Sequence, residues 1–387
     1  MIKNIKKDMK QIFVSREKTE ISGEKRVALV PETIKKILKN PENSNFSVIV
    51  EKNAGENAGF SDEEYKNAGA EISESREEGM KNADIVFTVT HPEISDIASA
   101  QSGTIFIGAF SAQNTSTPEN SDILEMLHLA DKKQIQIFSL YQLPRSTRAQ
   151  KMDVLSSQSN VAGYKAVITA ANYLPKIFPL MMTAAGTIKP ANVVILGAGV
   201  AGLQAIATAK RLGARVEVSD IRLAAKEQVE SLGGKFIEVE GMKDLEDENG
   251  YALPPTPEFL KKQGEVVAKK IASADIVIST ALIPGRPAPK LISEKMVQSM
   301  KPGSVIVDMA AIAGGNCELT KKGEIIKISG VTIIGKTDLL SEVSTHASQL
   351  FSANMHAFLG ELFAKSGEKS GKIDFKNEVI EKCVVKI

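Results

Sequence analysis

Tryptophan is absent from the 387 residues, cysteine occurs twice and histidine four times. Cys317 and Cys383 lie far apart and in no metal-ligand spacing, so the pattern argues against a disulfide framework or a cysteine zinc site and suits a reducing compartment. Four scattered histidines make an imidazole metal centre an equally poor expectation, and no metal is expected. Charge of one sign is lacking too: 48 Lys and Arg against 47 Asp and Glu leave +1, with no global field to draw in nucleic acid or anionic lipid. Long apolar runs are missing. The most apolar stretch, FPLMMTAAGTIKPANVVILGAGVAG, is broken by Lys189 and Pro190, short of the roughly 18 residues a bilayer span requires. The start, MIKNIKKDMK, is basic without an apolar core of signal-peptide length. The expectation is a soluble, cytoplasmic chain that binds no nucleic acid and does not insert into a membrane.

What is present is a rhythm. From residue 191 on, short β-branched runs recur between helical stretches: NVVILG, ARVEVSD, KFIEV, ADIVISTA, GSVIVDMA and VTIIGK. Runs of Val and Ile without polar alternation read as strands buried on both faces of a parallel sheet, and six of them make a doubly wound domain. IFVSRE, SVIVEK, DIVFTV, TIFIGA and QIQIFSL repeat the rhythm in the first half. Between Met152 and Leu174 the apolar spacing turns helical, predicting a long connecting helix, and TDLLSEVSTHASQLFSANMHAFLGELF predicts another that returns to the first domain. The fold class is therefore α/β, with two Rossmann-like doubly wound parallel-sheet domains and a cofactor cleft between them. The first is discontinuous, 1–156 plus 346–387, and the second is 157–345.

A lone GxGxxG is a weak signal, but Gly197, Gly199 and Gly202 directly follow the strand NVVIL and open the helix VAGLQAIATAKRLG. The first glycine permits the tight turn, the second lets backbone approach a pyrophosphate, and the third brings helix and strand close. The helix N-terminus then offers amide donors and positive dipole to phosphates. Asp220 ends the next strand 23 residues after Gly197, near the spacing of the acid that bonds a ribose hydroxyl and repels a 2′-phosphate, so NAD is favoured. An Asp in that position also serves as a plain helix cap, and the neighbouring Arg222 leaves NADP open.

The segment PRSTRAQKMDVLS packs Arg145, Arg148, Gln150, Lys151 and Asp153 into nine positions at the domain junction, where cofactors and substrates gather. A solvated loop with Asp153 as a capping residue explains the same composition.

PRSTRAQKMDVLSSQSNVAGYKAVI, LGAGVAGLQAIATAKRLGARVEVSDIR, STALIPGRPAP and DMAAIAGGNCELT together resemble the NAD(H)-binding domain I of proton-translocating nicotinamide nucleotide transhydrogenase. GEKRVALVPETIKKIL is similar too and is shared with the related alanine dehydrogenases, and the resemblance runs from about residue 12 to about 365. It implies a soluble subunit that binds NAD(H) and exchanges hydride with NADP(H) held by a separate domain III. A membrane domain II on another chain couples this to proton translocation, so the subunit would sit peripherally on the inner face of a bacterial membrane. It also implies a homodimer. By the resemblance, Arg145, Gln150 and Asp153 lie against the nicotinamide and act catalytically. Lys151, Met152 and Ser156 of the same segment, Val200 in the glycine turn, Ile221 and Arg222 beside Asp220, and Leu282 in TALIPG contact the cofactor. Gly250 and Tyr251 match a mobile loop that closes over bound nucleotide.

There are departures. Ser146 and Thr147 stand where the family has Ile-Ser, and the prolines of LPPTPEF should stiffen the mobile loop. An alanine dehydrogenase would need lysine in a KVKEP-like segment and histidine in a YLHLA-like one; here FTVTHP places Thr88 and Thr90 where lysines would fall, and FIGAFSAQN has no histidine. His91 is displaced, and His128 falls on a predicted helix. That reading and an NAD-sensing module without chemistry remain the alternatives.

Overall fold

In the computed structural model the described residues are 10–18, 23–39, 46–110, 121–241, 256–282, 286–363, 373 and 375–385. The chain divides into two compact units, one comprising residues up to Gln158 with those from Leu340 on, the other Ser159–Leu339.

The first unit is built on six parallel strands, β1 (Lys10–Val14), β2 (Phe46–Glu51), β3 (Glu71–Ser73), β4 (Ile85–Phe87), β5 (Ile105–Gly108) and β6 (Gln136–Ser139), in the order β3-β2-β1-β4-β5-β6. Successive side chains of a strand face opposite ways, and β1 shows the result. Ile12 and Val14 join a core with Phe351, Met355, Phe358 and Leu362 of the helix Ser344–Leu362, while Phe13 points to a second core with Met80, Phe106 and Leu127. Both faces are thus covered, which is why the strand sequences show no polar alternation.

The second unit carries a two-stranded antiparallel hairpin, β7 (Met181–Thr183) and β8 (Gly186–Ile188), and then repeats the plan of the first. Its sheet is made of β9 (Asn192–Leu196), β10 (Arg215–Ser219), β11 (Lys235–Phe236), β12 (Ile276–Ser279), β13 (Val305–Asp308), β14 (Ile325–Ile328) and β15 (Val331–Ile334). Their order is β11-β10-β9-β12-β13-β15-β14, and only β14 runs antiparallel. The order reverses between β9 and β12, which makes the carboxyl ends of those neighbours the switch point at which such sheets bind ligands. The helix Val200–Arg211 covers one face with Ala205, Ile206 and Ala209, beside Ala166, Val167 and Ala170 of the helix Val154–Tyr173.

The eleven runs picked out by composition fall on strands. Composition missed β3, three residues that are not fully buried, and β14, an edge strand with the half-buried pattern of IIKI. It also missed the hairpin β7–β8, whose exposed apolar residues read as part of a core run.

Candidate functional site

The glycine turn sits on the switch point. Gly197 has φ +102°, a left-handed conformation open to glycine, and its amide donates to Ser219 O at 2.8 Å, tying the end of β9 to β10. A Cβ on Gly202 would lie 1.9 Å from Gly197 O, so helix and strand approach as closely as they do only without a side chain there. At Gly199 a Cβ would meet nothing within 4 Å, leaving clear space over the helix N-terminus. The first-turn amides of the twelve-residue helix Val200–Arg211 have no intrahelical acceptor, and the space in front of them suits an anion.

Asp220, at the end of β10, is buried and holds this turn. Its carboxylate accepts from Ala198 N at 2.6 Å and from Arg222 through the amide (2.9 Å), Nε (3.0 Å) and Nη2 (3.1 Å). Asp220 is thus no simple cap, and Arg222, which left NADP open in the sequence, is turned onto the carboxylate. Thr280, after β12, braces the turn from the other side by donating to Leu196 O and Gly197 O at 3.2 and 3.1 Å. Val200 and Leu282 are exposed and Ile221 is half-buried. Composition gave no sign of Thr280, nor of Gly163, where a Cβ would lie 2.2 Å from Ala201 O; its lack of a side chain lets the helix Val154–Tyr173 reach the glycine turn.

The junction segment belongs to the first unit and forms its own cluster. A 3₁₀ turn, Gln150–Met152, leads into the helix Val154–Tyr173. Asp153 accepts from Ser156 N (2.9 Å) and Ser156 Oγ (2.5 Å), so both residues are engaged in capping. Met152 is buried in the core with Ala149 and Val154, which leaves only its backbone for a ligand. Asn354 clamps the turn by donating to Lys151 O at 2.8 Å and accepting from Ser157 Oγ at 2.7 Å. Arg145, Gln150 and Lys151 remain exposed on this braced backbone. Gly250 and Tyr251 lie outside the described residues.

Sequence reasoning also passed over a buried charged cluster in the first unit. Arg26 donates to Glu24 from Nε (2.8 Å) and Nη2 (2.6 Å) and to Gln158 Oε1 from Nη1 (2.8 Å), with its guanidinium over the Phe351 ring. Burial alone would raise the Glu24 pKa, but the bonds and charge of Arg26 outweigh it and hold the carboxyl below its ordinary value. Glu17 is pushed the other way by burial, although Val89 N and Thr90 Oγ1 donate to it. Thr88 in turn donates to Thr90 O at 2.6 Å, so the two threonines tie up their own loop. His128 is exposed on the helix Ser121–Lys132. Among the described residues no group of His, Cys, Asp and Glu is placed to hold a metal, and no helix is long and apolar enough to cross a membrane.

This geometry agrees with the comparisons. Residues 13–162 match the N-terminal domain of the alanine dehydrogenase/PNT family and residues 166–387 its C-terminal domain. The chain is 48% identical over 339 residues to the first of the polypeptides that make up the NAD(P) transhydrogenase alpha subunit of Rhodospirillum rubrum, covering 87% of this chain and 86% of that one. The Rickettsia prowazekii protein of the same description is 44% identical over 346 residues, 88% of this chain and 87% of the relative. A crystal structure of transhydrogenase from Sinorhizobium meliloti superposes with a TM-score of 0.84 at 39% identity, covering 97% of this chain and 98% of that one. With both domain descriptions matched in order and these relatives aligned over most of their length, the chain belongs to the alanine dehydrogenase/PNT family, among its transhydrogenase alpha subunits.

Proposed function

We propose that the chain is the NAD(H)-binding subunit of a proton-translocating transhydrogenase, exchanging hydride with NADP(H) held by a domain III on a partner chain. A membrane domain on a further chain would couple the exchange to proton movement and hold this subunit at the inner face of the membrane. The observation that carries the reading is the glycine turn locked to Asp220: open space over a helix N-terminus for the pyrophosphate, and a buried carboxylate at its edge for a ribose hydroxyl. The names of the aligned relatives point the same way.

Hydride itself is supplied by the nicotinamide when bound, and its transfer to a second nicotinamide moves no proton to or from a side chain. The chain therefore needs no nucleophile or general acid, only groups that bind, orient and exclude water. Gly197, Gly199 and Gly202 shape the phosphate cradle, Asp220 and Arg222 select the ribose, and Val200, Ile221 and Leu282 contact the nucleotide. Exposed Gln150 hydrogen-bonds the carboxamide or nearby ribose, Arg145 fixes the ring, and Asp153 with Ser156 holds the segment that carries them. The exposed apolar hairpin β7–β8 supports the self-association expected of a homodimer.

The test is reconstitution of the purified chain with an NADP(H)-binding domain III, following reduction of an NAD analogue by NADPH. Transfer is expected; nucleotide binding without transfer would leave only a sensing module. The family description also names alanine dehydrogenase. Steady NADH formation from alanine and NAD by the chain alone would replace the present reading with that one.

A further inference from the structure

Four large apolar side chains stand in solvent along the carboxyl edge of the second sheet: Leu223 (37% exposed), Val200 (40%), Leu282 (43%) and Ile312 (62%). Each follows a different strand, β10, β9, β12 and β13 respectively, and those four strands are consecutive neighbours in that order. A single exposed hydrophobe needs no explanation. A row of them, one per strand across the switch point, does. With strands about 4.8 Å apart it runs roughly 15 Å along the ends of the sheet.

Ile312, the most exposed of the four, is held there. It sits in the short 3₁₀ turn Ala311–Ala313, whose neighbours Ala310 and Ala311 are fully buried. Below the turn, buried Asp308 accepts from Ser279 Oγ (3.1 Å), Ala310 N (3.1 Å), Cys317 N (2.9 Å) and Thr320 Oγ1 (2.6 Å). Asn316 ties the same loop to the Leu282 segment, accepting from Ala281 N at 3.1 Å and donating to Ala281 O at 2.8 Å. The backbone is pinned on both sides, so the side chain cannot fold into the core without breaking this mesh. The small residues are buried and the large one is presented.

Asp220 closes β10, which assigns the β10 side of the switch to the adenosine half of a dinucleotide and the β12 and β13 side to the other half. We propose that Ile312 is a cofactor-contacting residue that packs against the nicotinamide nucleoside, continuing the apolar wall begun by Leu282. This rests on the NAD(H) reading above. Covering so exposed a side chain on binding should contribute roughly tenfold in affinity.

The experiment is calorimetry of Ile312→Ser and Ile312→Leu with NADH and with ADP-ribose, which has no nicotinamide. Because Ile312 is exposed, both variants should keep the melting temperature of the unaltered chain. Ile312→Ser should bind NADH roughly tenfold more weakly with ADP-ribose affinity held within about twofold, and Ile312→Leu should restore NADH binding. Equal weakening of both ligands would overturn the assignment. So would unchanged NADH affinity, and if docking of domain III alone weakened, Ile312 would be a protein contact instead. If the unaltered chain bound neither ligand, the NAD(H) reading itself would have failed.

Discussion

Asp220→Ala removes more than a ribose contact. The carboxylate accepts four hydrogen bonds, one from the buried Ala198 amide and three from Arg222. Truncation orphans the Ala198 amide at a cost of about 1–3 kcal/mol, so the variant should melt at lower temperature before any nucleotide is added. It also frees the Arg222 guanidinium beside the position of a ribose 2′ substituent. A hydrogen bond to a charged group contributes about 1.5–3 kcal/mol, but this carboxylate already shares its charge with Arg222. The lower end, about tenfold in NADH affinity, is therefore expected. NADPH should gain, because a repelling carboxylate has been replaced by an unmasked cation.

Asp220→Asn separates the two effects. An amide oxygen still accepts from Ala198, so most of the stability should return, while the negative charge is lost and NADPH discrimination stays relaxed. Adding Arg222→Ala to Asp220→Ala should abolish the gain in NADPH affinity, and the coupling between the two substitutions measures the cation's share. Calorimetry with both nucleotides, read beside melting curves, tests the chain of reasoning. Equal affinity of the unaltered protein for NADH and NADPH would refute it, as would an Asp220→Asn variant with unchanged selectivity.

Gln150→Asn should slow single-turnover hydride transfer at least tenfold in complex with domain III while changing NADH affinity little, since a misplacement of about 1 Å costs about 100-fold; a normal rate would make the 3₁₀ turn a solvated connector. Glu24→Gln leaves Arg26 buried with its partner neutralised and should destabilise the chain by about 3–5 kcal/mol at neutral pH. Because the folded-state pKa of Glu24 lies below its ordinary value, that stability is full above the ordinary carboxylate range and lost as pH falls through the depressed value, so the melting gap between variant and parent should close in acid. A gap independent of pH would disprove the ionic origin. Gly163→Ala drives a Cβ into the Ala201 carbonyl and should cost about 1–3 kcal/mol together with nucleotide affinity, whereas full NADH binding would show that the helix Val154–Tyr173 does not support the turn.

The sequence carried the parallel strands because a strand buried on both faces must be apolar throughout, and β1, β9, β12 and β13 are. It carried the glycine turn because closeness of backbone to backbone permits no other residue at Gly202. What it could not carry was pairing between residues far apart in number. Arg222 reads identically whether it points at a phosphate or folds back on Asp220, and the choice rests on where Ala198 places its amide. Asp153 reads identically as ligand or cap, and Ser156 three residues on takes up both its oxygens. Glu24 and Arg26 sit two residues apart on an unremarkable stretch, and Gln158, Ser341 and Phe351 from distant parts of the first unit make them a buried ionic cluster. Ile312 shows the converse. As a letter it belongs to a core, and only the hydrogen-bonded mesh of Asp308 and Asn316 reveals that the fold holds it in solvent, where a ligand rather than the protein interior must cover it.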